Sequence, residues 1–155
     1  MAEAAVIRNA EPSDIEAIVA IENRCFTGAT AYPKSQLAYL IYKANSTCLV
    51  ETCAEVIRGF IVALYRKGTR GGYLETLDVD PAYQGQGIGL RLLFAAEEEM
   101  RRRGLNFSQL EVSEGNKTAI ALYQKAGYKP KKQLAGYYRF EHHGSRDAVQ
   151  MVKTL

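Results

Sequence analysis

The sequence predicts a mixed α/β fold, a mostly antiparallel sheet of about seven strands flanked by about four helices, on the strength of three observations. First, the periodicities run strand, two helices, three strands, helix, strand, helix, two strands, which is not the regular rhythm of a doubly wound parallel sheet. Second, the strand-helix-strand passage from Tyr73 to Val112 requires one parallel crossover, right-handed by the general rule. Third, 155 residues with 47% hydrophobic and 24% charged side chains suit one globular domain, expected over residues 1–155.

Ala4 to Arg8 reads as the first strand. Glu11-Pro12-Ser13-Asp14 then opens a helix, with Ser13 and Glu16 at capping-box spacing and Ile15, Ile18, Val19 and Ile21 forming an apolar face. A loop from Cys25 to Pro33 leads to a second helix over about Ser35 to Lys43, where Leu37, Leu40 and Ile41 recur at helical spacing. Thr47 to Thr52 and Val56 to Arg66 are β-branched and aromatic runs parted by a short polar break, the pattern of a hairpin. Lys67-Gly68-Thr69-Arg70-Gly71-Gly72 reads as a turn. Tyr73 to Val79 follows as a strand, ended by Pro81 because proline has no N–H for a ladder.

A glycine-rich turn comes next, then a helix from about Gly87 to Arg103, with Leu90, Leu93, Phe94, Glu97 and Met100 spacing its faces. Gly104 punctuates it. Phe107 to Val112 alternates as a strand, and Asn116 to Lys125 is a helix ended by Gly127, a residue suited to a left-handed cap. Leu134 to Phe140 and Ala148 to Val152 are expected to close the chain as a hairpin around Glu141 to Asp147.

Charge and composition exclude several functions. A net charge of +3 and a pI near 8.7 are mild, and the basic residues are spread along the chain apart from Arg101-Arg102-Arg103 and Lys129 with Lys131-Lys132, so nucleic acid is not the expected partner. Cys25, Cys48 and Cys53 form no CxxC pair and His142 and His143 are adjacent, so reduced thiols and no metal are expected. The Met1-Ala2-Glu3-Ala4 start lacks the basic-then-apolar form of a leader, and no stretch approaches the roughly 18 apolar residues of a membrane span. A soluble cytoplasmic protein, monomer or homodimer, is the expectation.

The strongest feature is Gln84-Gly85-Gln86-Gly87-Ile88-Gly89, between a strand and a long helix. Such a turn aims backbone N–H groups and the positive end of the helix dipole at one point, where an anionic phosphate fits. Leu90 stands where a dinucleotide fingerprint needs glycine, and no Gly-Lys-Ser/Thr ending marks a nucleoside triphosphate loop. Taken alone, a Gly-x-Gly is more often an ordinary pair of turn glycines, so context must decide.

The segment Gln84-x-x-Gly87-x-Gly89 resembles the Q/R-x-x-G-x-G/A pyrophosphate motif of the GNAT N-acetyltransferases, and Leu77-Asp78-Val79-Asp80-Pro81-Ala82-Tyr83 resembles the strand leading into it. Downstream, Leu110-Glu111-Val112, Asn116, Ala119-Ile120-Ala121-Leu122-Tyr123, Ala126-Gly127-Tyr128 and Tyr137-Tyr138 are similar to the ribosomal-protein alanine N-acetyltransferase branch, over roughly half the chain. The resemblance implies the GNAT acyl-CoA N-acyltransferase fold and acetyl-CoA as cosubstrate. It places the backbone of Leu77, Asp78 and Val79 beside the pantetheine arm, Asn116 on the arm's far side, and Gln84, Gly85, Gln86, Gly87, Ile88, Gly89 and Leu90 at the pyrophosphate.

Aminolysis of a thioester needs a neutral amine and a proton for the departing thiolate, hence one base and one acid near the acyl carbon. The resemblance assigns these to Glu111 and Tyr123. With an unperturbed pKa of about 4.3, Glu111 suits a relay through water, while Tyr123, at about 10, is protonated at neutral pH. The N–H of Leu77 or Val79 is the candidate oxyanion donor if a bulge interrupts the ladder there. No acetyl-enzyme is expected on a cysteine, so transfer is direct, in a ternary complex.

Tyr137 and Tyr138 resemble the tyrosines that cover the acceptor in the peptide-acetylating branch, and Tyr73 and Glu75 share one side of their strand. The family's aromatic segment after the first helix is replaced by a run from Cys25 through Phe26 to Tyr32 and Pro33, which makes Phe26 a further acceptor-side candidate. A protein N-terminus or lysine, a small amine such as a polyamine, amino acid or aminoglycoside, and a non-catalytic CoA-binding module remain the three readings.

Overall fold

The computed structural model describes residues 4–155; Met1-Ala2-Glu3, on which the leader expectation partly rests, lies outside them. The strands are β1 (Val6–Asn9), β2 (Ser46–Cys53), β3 (Val56–Tyr65), β4 (Gly71–Val79), β5 (Phe107–Ser113), β6 (Lys129–Leu134) and β7 (Ala148–Thr154). The helices are α1 (Ile15–Cys25), α2 (Lys34–Tyr42), α3 (Ile88–Arg102) and α4 (Lys117–Lys125). The strands form one sheet in the order β1-β2-β3-β4-β5-β7-β6, antiparallel throughout except for the β4–β5 pair. Among the described residues no helix is long and apolar enough to cross a membrane.

Both faces of the sheet are covered, so its central strands are apolar on both sides. Cys48, Val50, Phe60 and Val62 pack with Ile18, Ile21, Leu37 and Leu40 of α1 and α2. Their neighbours Leu49, Ile61 and Ala63 pack instead with Ile88, Leu92, Leu93, Ala96 and Met100 of α3. The alternation of β2 and β3 thus sorts one run of hydrophobic residues into two cores.

Three features of the sheet shape the site. β4 and β5 pair only through Gly71–Leu74 against Phe107–Leu110. Beyond that, β4 stays with β3 as far as Val79 while β5 follows β7 as far as Ser113, so the two strands part and leave their facing edges open. In addition, the β3–β4 register slips between Val62↔Thr76 and Ala63↔Leu74, leaving Glu75 as the extra residue of a bulge. Leu74, Leu77 and Val79 therefore all pack on the α3 side, whereas Asp78 reaches Glu22 of α1.

Several expected boundaries move, for physical reasons. The first helix begins at Ile15, and no Ser13–Glu16 capping box forms: Pro12–Asp14 is a 3-10 turn in which Asp14 accepts the Glu11 N–H at 2.7 Å and holds Arg8. Glu16 pairs with Lys34 instead. Gly71 and Gly72 belong to β4 rather than to a turn, because a Cβ on them would lie 2.2 Å from the Phe107 ring and 2.4 Å from Met100 Sδ. The strand expected over Leu134 to Phe140 is found earlier, as β6. Its exposed Lys129-Pro130-Lys131-Lys132 run suits a sheet edge, with a bulge between Pro130 and Lys132. Residues 135–147 form a loop, held by the His142↔Ser145 bridge and by the Tyr138 N–H, which donates to Arg146 O at 3.0 Å.

Candidate active site

Where β4 and β5 part lies a cleft of about 720 Å³. It brings together Leu77, Glu111, Asn116 and Tyr123 with Phe26, Tyr73, Glu75, Tyr137 and Tyr138. Asp78, Val79 and the turn from Gln84 to Leu90 do not line it. The turn is nevertheless adjacent: a Cβ on Gly89 would sit 3.4 Å from Leu122 of α4 and 3.6 Å from Val79 of β4.

The turn is built from Asp80 onward. The Asp80 carboxylate accepts the Ala82 N–H at 3.1 Å and Arg24 at 2.7 Å, opening the Pro81–Tyr83 3-10 turn. Gly85 and Gly87 then take φ of +83° and +78°, the left-handed region in which a Cβ is strained. Gly87 caps α3 with no side-chain cap, so the first N–H groups of a 15-residue helix face outward at its positive end. Ile88 is 1% exposed, its side chain spent in the core, and only its backbone is available. Gln84 Nε2 donates to Val79 O at 3.3 Å, and Gln86 Oε1 accepts from Arg58 at 3.4 Å. Behind the turn, Arg58 and Arg91 both grip the fully buried Glu51, three charges that sum to one positive. The uncapped helix end and its cationic backing fit a pyrophosphate.

Asp80 N–H donates to Arg58 O on β3 at 2.8 Å. By the alternation of an antiparallel ladder, Val79 and Leu77 direct their N–H groups the other way, toward the gap, as an extended amide chain requires. The bulge sits at Glu75, two residues before Leu77, not at Leu77 or Val79. Asn116 is the N-cap of α4: its Oδ1 accepts the Ala119 N–H at 3.2 Å, which leaves Nδ2 as the donor for a ligand.

Glu111 stands opposite Gln150 of β7, its Oε1 3.4 Å from Gln109 Nε2. Tyr123 packs its ring edgewise on Tyr128, centroids 5.8 Å apart, and its hydroxyl has no hydrogen-bond partner among the described residues. Burial, and then the Asp78 and Tyr138 groups, push its pKa above that of a free phenol, so it stays protonated and can donate.

Phe26 opens the α1–α2 loop. Within that loop the Tyr32 hydroxyl donates to Glu75, and the Tyr32 N–H donates to Glu22 Oε2 at 2.9 Å. Arg66 stacks 3.9 Å over the Tyr73 ring. Tyr137 and Tyr138 meet edge to face at 4.9 Å, and Tyr138 stacks on His142 at 4.0 Å. Gly115 admits this loop, since a Cβ there would lie 2.0 Å from His143 O. Glu22, Tyr32, Arg66 and His142, all at the cleft, are absent from the sequence-derived site. For Glu22 a signal exists: it falls in the i, i+3, i+4, i+7 series of Ile18, Ile21 and Cys25, an acid on an apolar helix face. The others come together only through the fold.

Residues 15–128 match the family profile described as the acetyltransferase (GNAT) family. The chain is 38% identical over 79 residues to the ribosomal protein bS18 alanine N-acetyltransferase of Escherichia coli, which is 51% of this chain and 53% of that protein. It is 32% identical over 103 residues to N-alpha-acetyltransferase 30 of Xenopus laevis, 64% of this chain and 38% of that one. The chain thus spans about half or less of the length of the curated relatives it matches. Among solved structures it resembles the ribosomal-protein-S18-alanine N-acetyltransferase from Escherichia coli, with a TM-score of 0.85, 27% identity and coverage of 97% and 94%. It resembles Ard1 from Thermoplasma volcanium with a TM-score of 0.83, 26% identity and 98% of both chains. By its profile, its relatives and its fold, the chain belongs to the acetyltransferase (GNAT) family.

Proposed function

We propose that the chain transfers the acetyl group of acetyl-CoA to a primary amine by direct transfer in a ternary complex, and that the amine is a protein N-terminus. The observation that carries this reading is the parting of β4 and β5 beyond Leu74, with Leu77, Glu111, Asn116 and Tyr123 all facing the resulting cleft. The thioester supplies an activated acyl group. The backbone of Leu77 and Val79 and the side chain of Asn116 hold the pantetheine amides, while the uncapped start of α3 with Gly85 and Gly87 holds the pyrophosphate. Leu77 N–H polarises the thioester carbonyl. Glu111 takes the amine's proton through water, and Tyr123, a phenol protonated at neutral pH, gives its proton to the leaving sulfur. Cys25 takes no part: burial, then Asp78, Glu22 and Asp80, push its thiol up to about 12, far from a nucleophilic thiolate.

For the acceptor, support comes from the relatives named for acetylating a ribosomal-protein alanine and for N-alpha-acetylation. Tyr137, Tyr138, Tyr32 and Glu75 line the cleft and supply polar and aromatic walls for a peptide start. Acetyl-CoA consumption should be measured with peptides of varied free N-termini, the same peptides blocked but carrying lysine, and a set of polyamines and aminoglycosides. Turnover with free N-termini alone is expected. Turnover confined to the small amines would replace the acceptor, and failure to bind acetyl-CoA would overturn the reading.

A further inference from the structure

Glu22 of α1 and Asp78 of β4 are each 1% exposed, and α1 packs on β4 so that the two carboxyl groups face one another. Each has one oxygen satisfied: Glu22 Oε2 by the Tyr32 N–H at 2.9 Å, Asp78 Oδ1 by the Thr76 hydroxyl at 2.7 Å. The other two oxygens, Glu22 Oε1 and Asp78 Oδ2, have no donor among the described residues. Two carboxylates in contact and out of water cannot both be ionised, and a single proton between them would satisfy both orphan oxygens at once.

We propose that Glu22 and Asp78 share one proton, and that this proton fastens the α1–α2 loop to β4, making the pair a positioning device for the acceptor side of the cleft. The link to the loop is direct. Tyr32 is held at its N–H by Glu22 and at its hydroxyl by Glu75, and Tyr32, Glu22 and Glu75 all line the cleft. The bulge at Glu75 matters here, because it puts Leu77 and Val79 on the α3 side and leaves Asp78 to meet α1.

Among the described residues no free cation faces the pair to take the proton's place. From α1, Cys25 faces the pair as a protonated thiol that donates to Val79 O at 3.3 Å, and Arg24 is spent on Asp80 at 2.7 Å. From α4 comes Tyr123, from the loop Tyr32 with Glu75 beyond it, from β4 itself Thr76, and from β3 Phe60 stands opposite Asp78. Burial raises the Asp78 pKa well above the usual carboxylate range, and Glu22 adds to it. A folded value above the unfolded one means that the pair's stabilisation is complete below the unfolded pKa and is lost as pH rises through the folded one. Alkaline pH then leaves two charges facing each other, and the Tyr32 segment loosens while the start of α3 is untouched.

The effect on acceptor kinetics rests on the function proposed above; the shared proton does not. Difference infrared spectroscopy of the wild type should show the C=O stretch of a protonated buried carboxyl at neutral pH, fading as pH rises and absent from Asp78→Asn. Exchange of the Tyr32 amide should steepen with pH in the wild type beyond the slope in Asp78→Asn, whose amide donates to Glu22 without titrating. Acceptor KM should rise several-fold over the same range in the wild type and stay flat in the variant, with the KM for acetyl-CoA unmoved by pH in the wild type. If Asp78→Asn fails to fold, Glu22→Gln, which donates to Asp78 Oδ2, takes its place. No carboxyl band in folded wild type, or one exchange slope for wild type and variant, would overturn the proposal. If no amine is acetylated, the function falls, and the infrared and exchange results still decide this one.

Discussion

Lys153 on β7 reaches Glu97 on α3 with Nζ 2.7 Å from Oε1, joining the sheet's far half to the helix that carries the glycine turn. Glu97 is 1% exposed and also accepts the Tyr128 hydroxyl at 2.9 Å, which itself lies 2.7 Å from Ser108 Oγ. Removing Lys153 leaves the buried Glu97 carboxylate with the Tyr128 hydroxyl and the more distant Arg101, 3.8 Å from Oε1. Lys153→Met should therefore cost about 3 kcal/mol, the low end for breaking a buried pair from one side. In calorimetry that is a fall in Tm of roughly 6–12 °C for a domain of this size. Pairing it with Glu97→Met should recover most of the loss, and a single variant as stable as wild type would show the pair to be idle.

The Tyr123 hydroxyl, unpaired among the described residues, separates chemistry from packing. Tyr123→Phe should lower kcat roughly 10²-fold while acetyl-CoA binding and melting change little, since no hydrogen bond of the fold is lost. Near-normal turnover in the folded variant would remove it as the acid. Glu111→Gln should shift the rise of rate with pH upward, as loss of a proton relay requires.

Gly87 joins a positive φ of +78° to the cap of α3, and a Cβ there would lie 3.2 Å from Arg91 Nη1. Gly87→Val should cost about 1–3 kcal/mol of stability through backbone strain. It should also abolish acetyl-CoA binding in a calorimetric titration. Gly89 has no positive φ, and a Cβ there meets only ordinary contacts, so Gly89→Ala should keep the fold and weaken binding through the approach of phosphate alone. Undiminished affinity in a folded Gly87→Val protein would displace the pyrophosphate site.

Glu51 sets an acid limit. Burial alone would raise its pKa, but hydrogen bonds and charge from Arg58 and Arg91 outweigh that and hold it below the usual range. A depressed folded value gives stabilisation that is full above the unfolded pKa of about 4.3 and is lost as pH falls through the folded one. Urea melts from pH 7 to pH 3 should show the wild type's advantage over Glu51→Gln shrinking below about pH 4.3. A constant difference would mean that Glu51 does not titrate with folding.

Local pattern was enough to place α2, β3, α3 and α4 to within a residue or so, because helical spacing, β-branched runs and capping glycines act over neighbouring positions. The same holds for the turn at Gly85 and Gly87, whose positive φ the residue type itself permits. The remaining features depended on partners distant in the chain. β6 has no apolar alternation and exists because β7 offers it an edge, and once those residues are paired, Tyr137 and Tyr138 are left as a loop over the cleft. Gly71 and Gly72 are small because Phe107 and Met100 lie against them, a demand invisible from within the segment. The bulge at Glu75 is a register slip against β3, and with it went the side each β4 residue faces: Leu77 and Val79 toward α3, Asp78 toward Glu22, a residue 56 positions earlier. Strand pairing is a property of two segments, so only the assembled sheet could decide which carboxylates would have to share a proton.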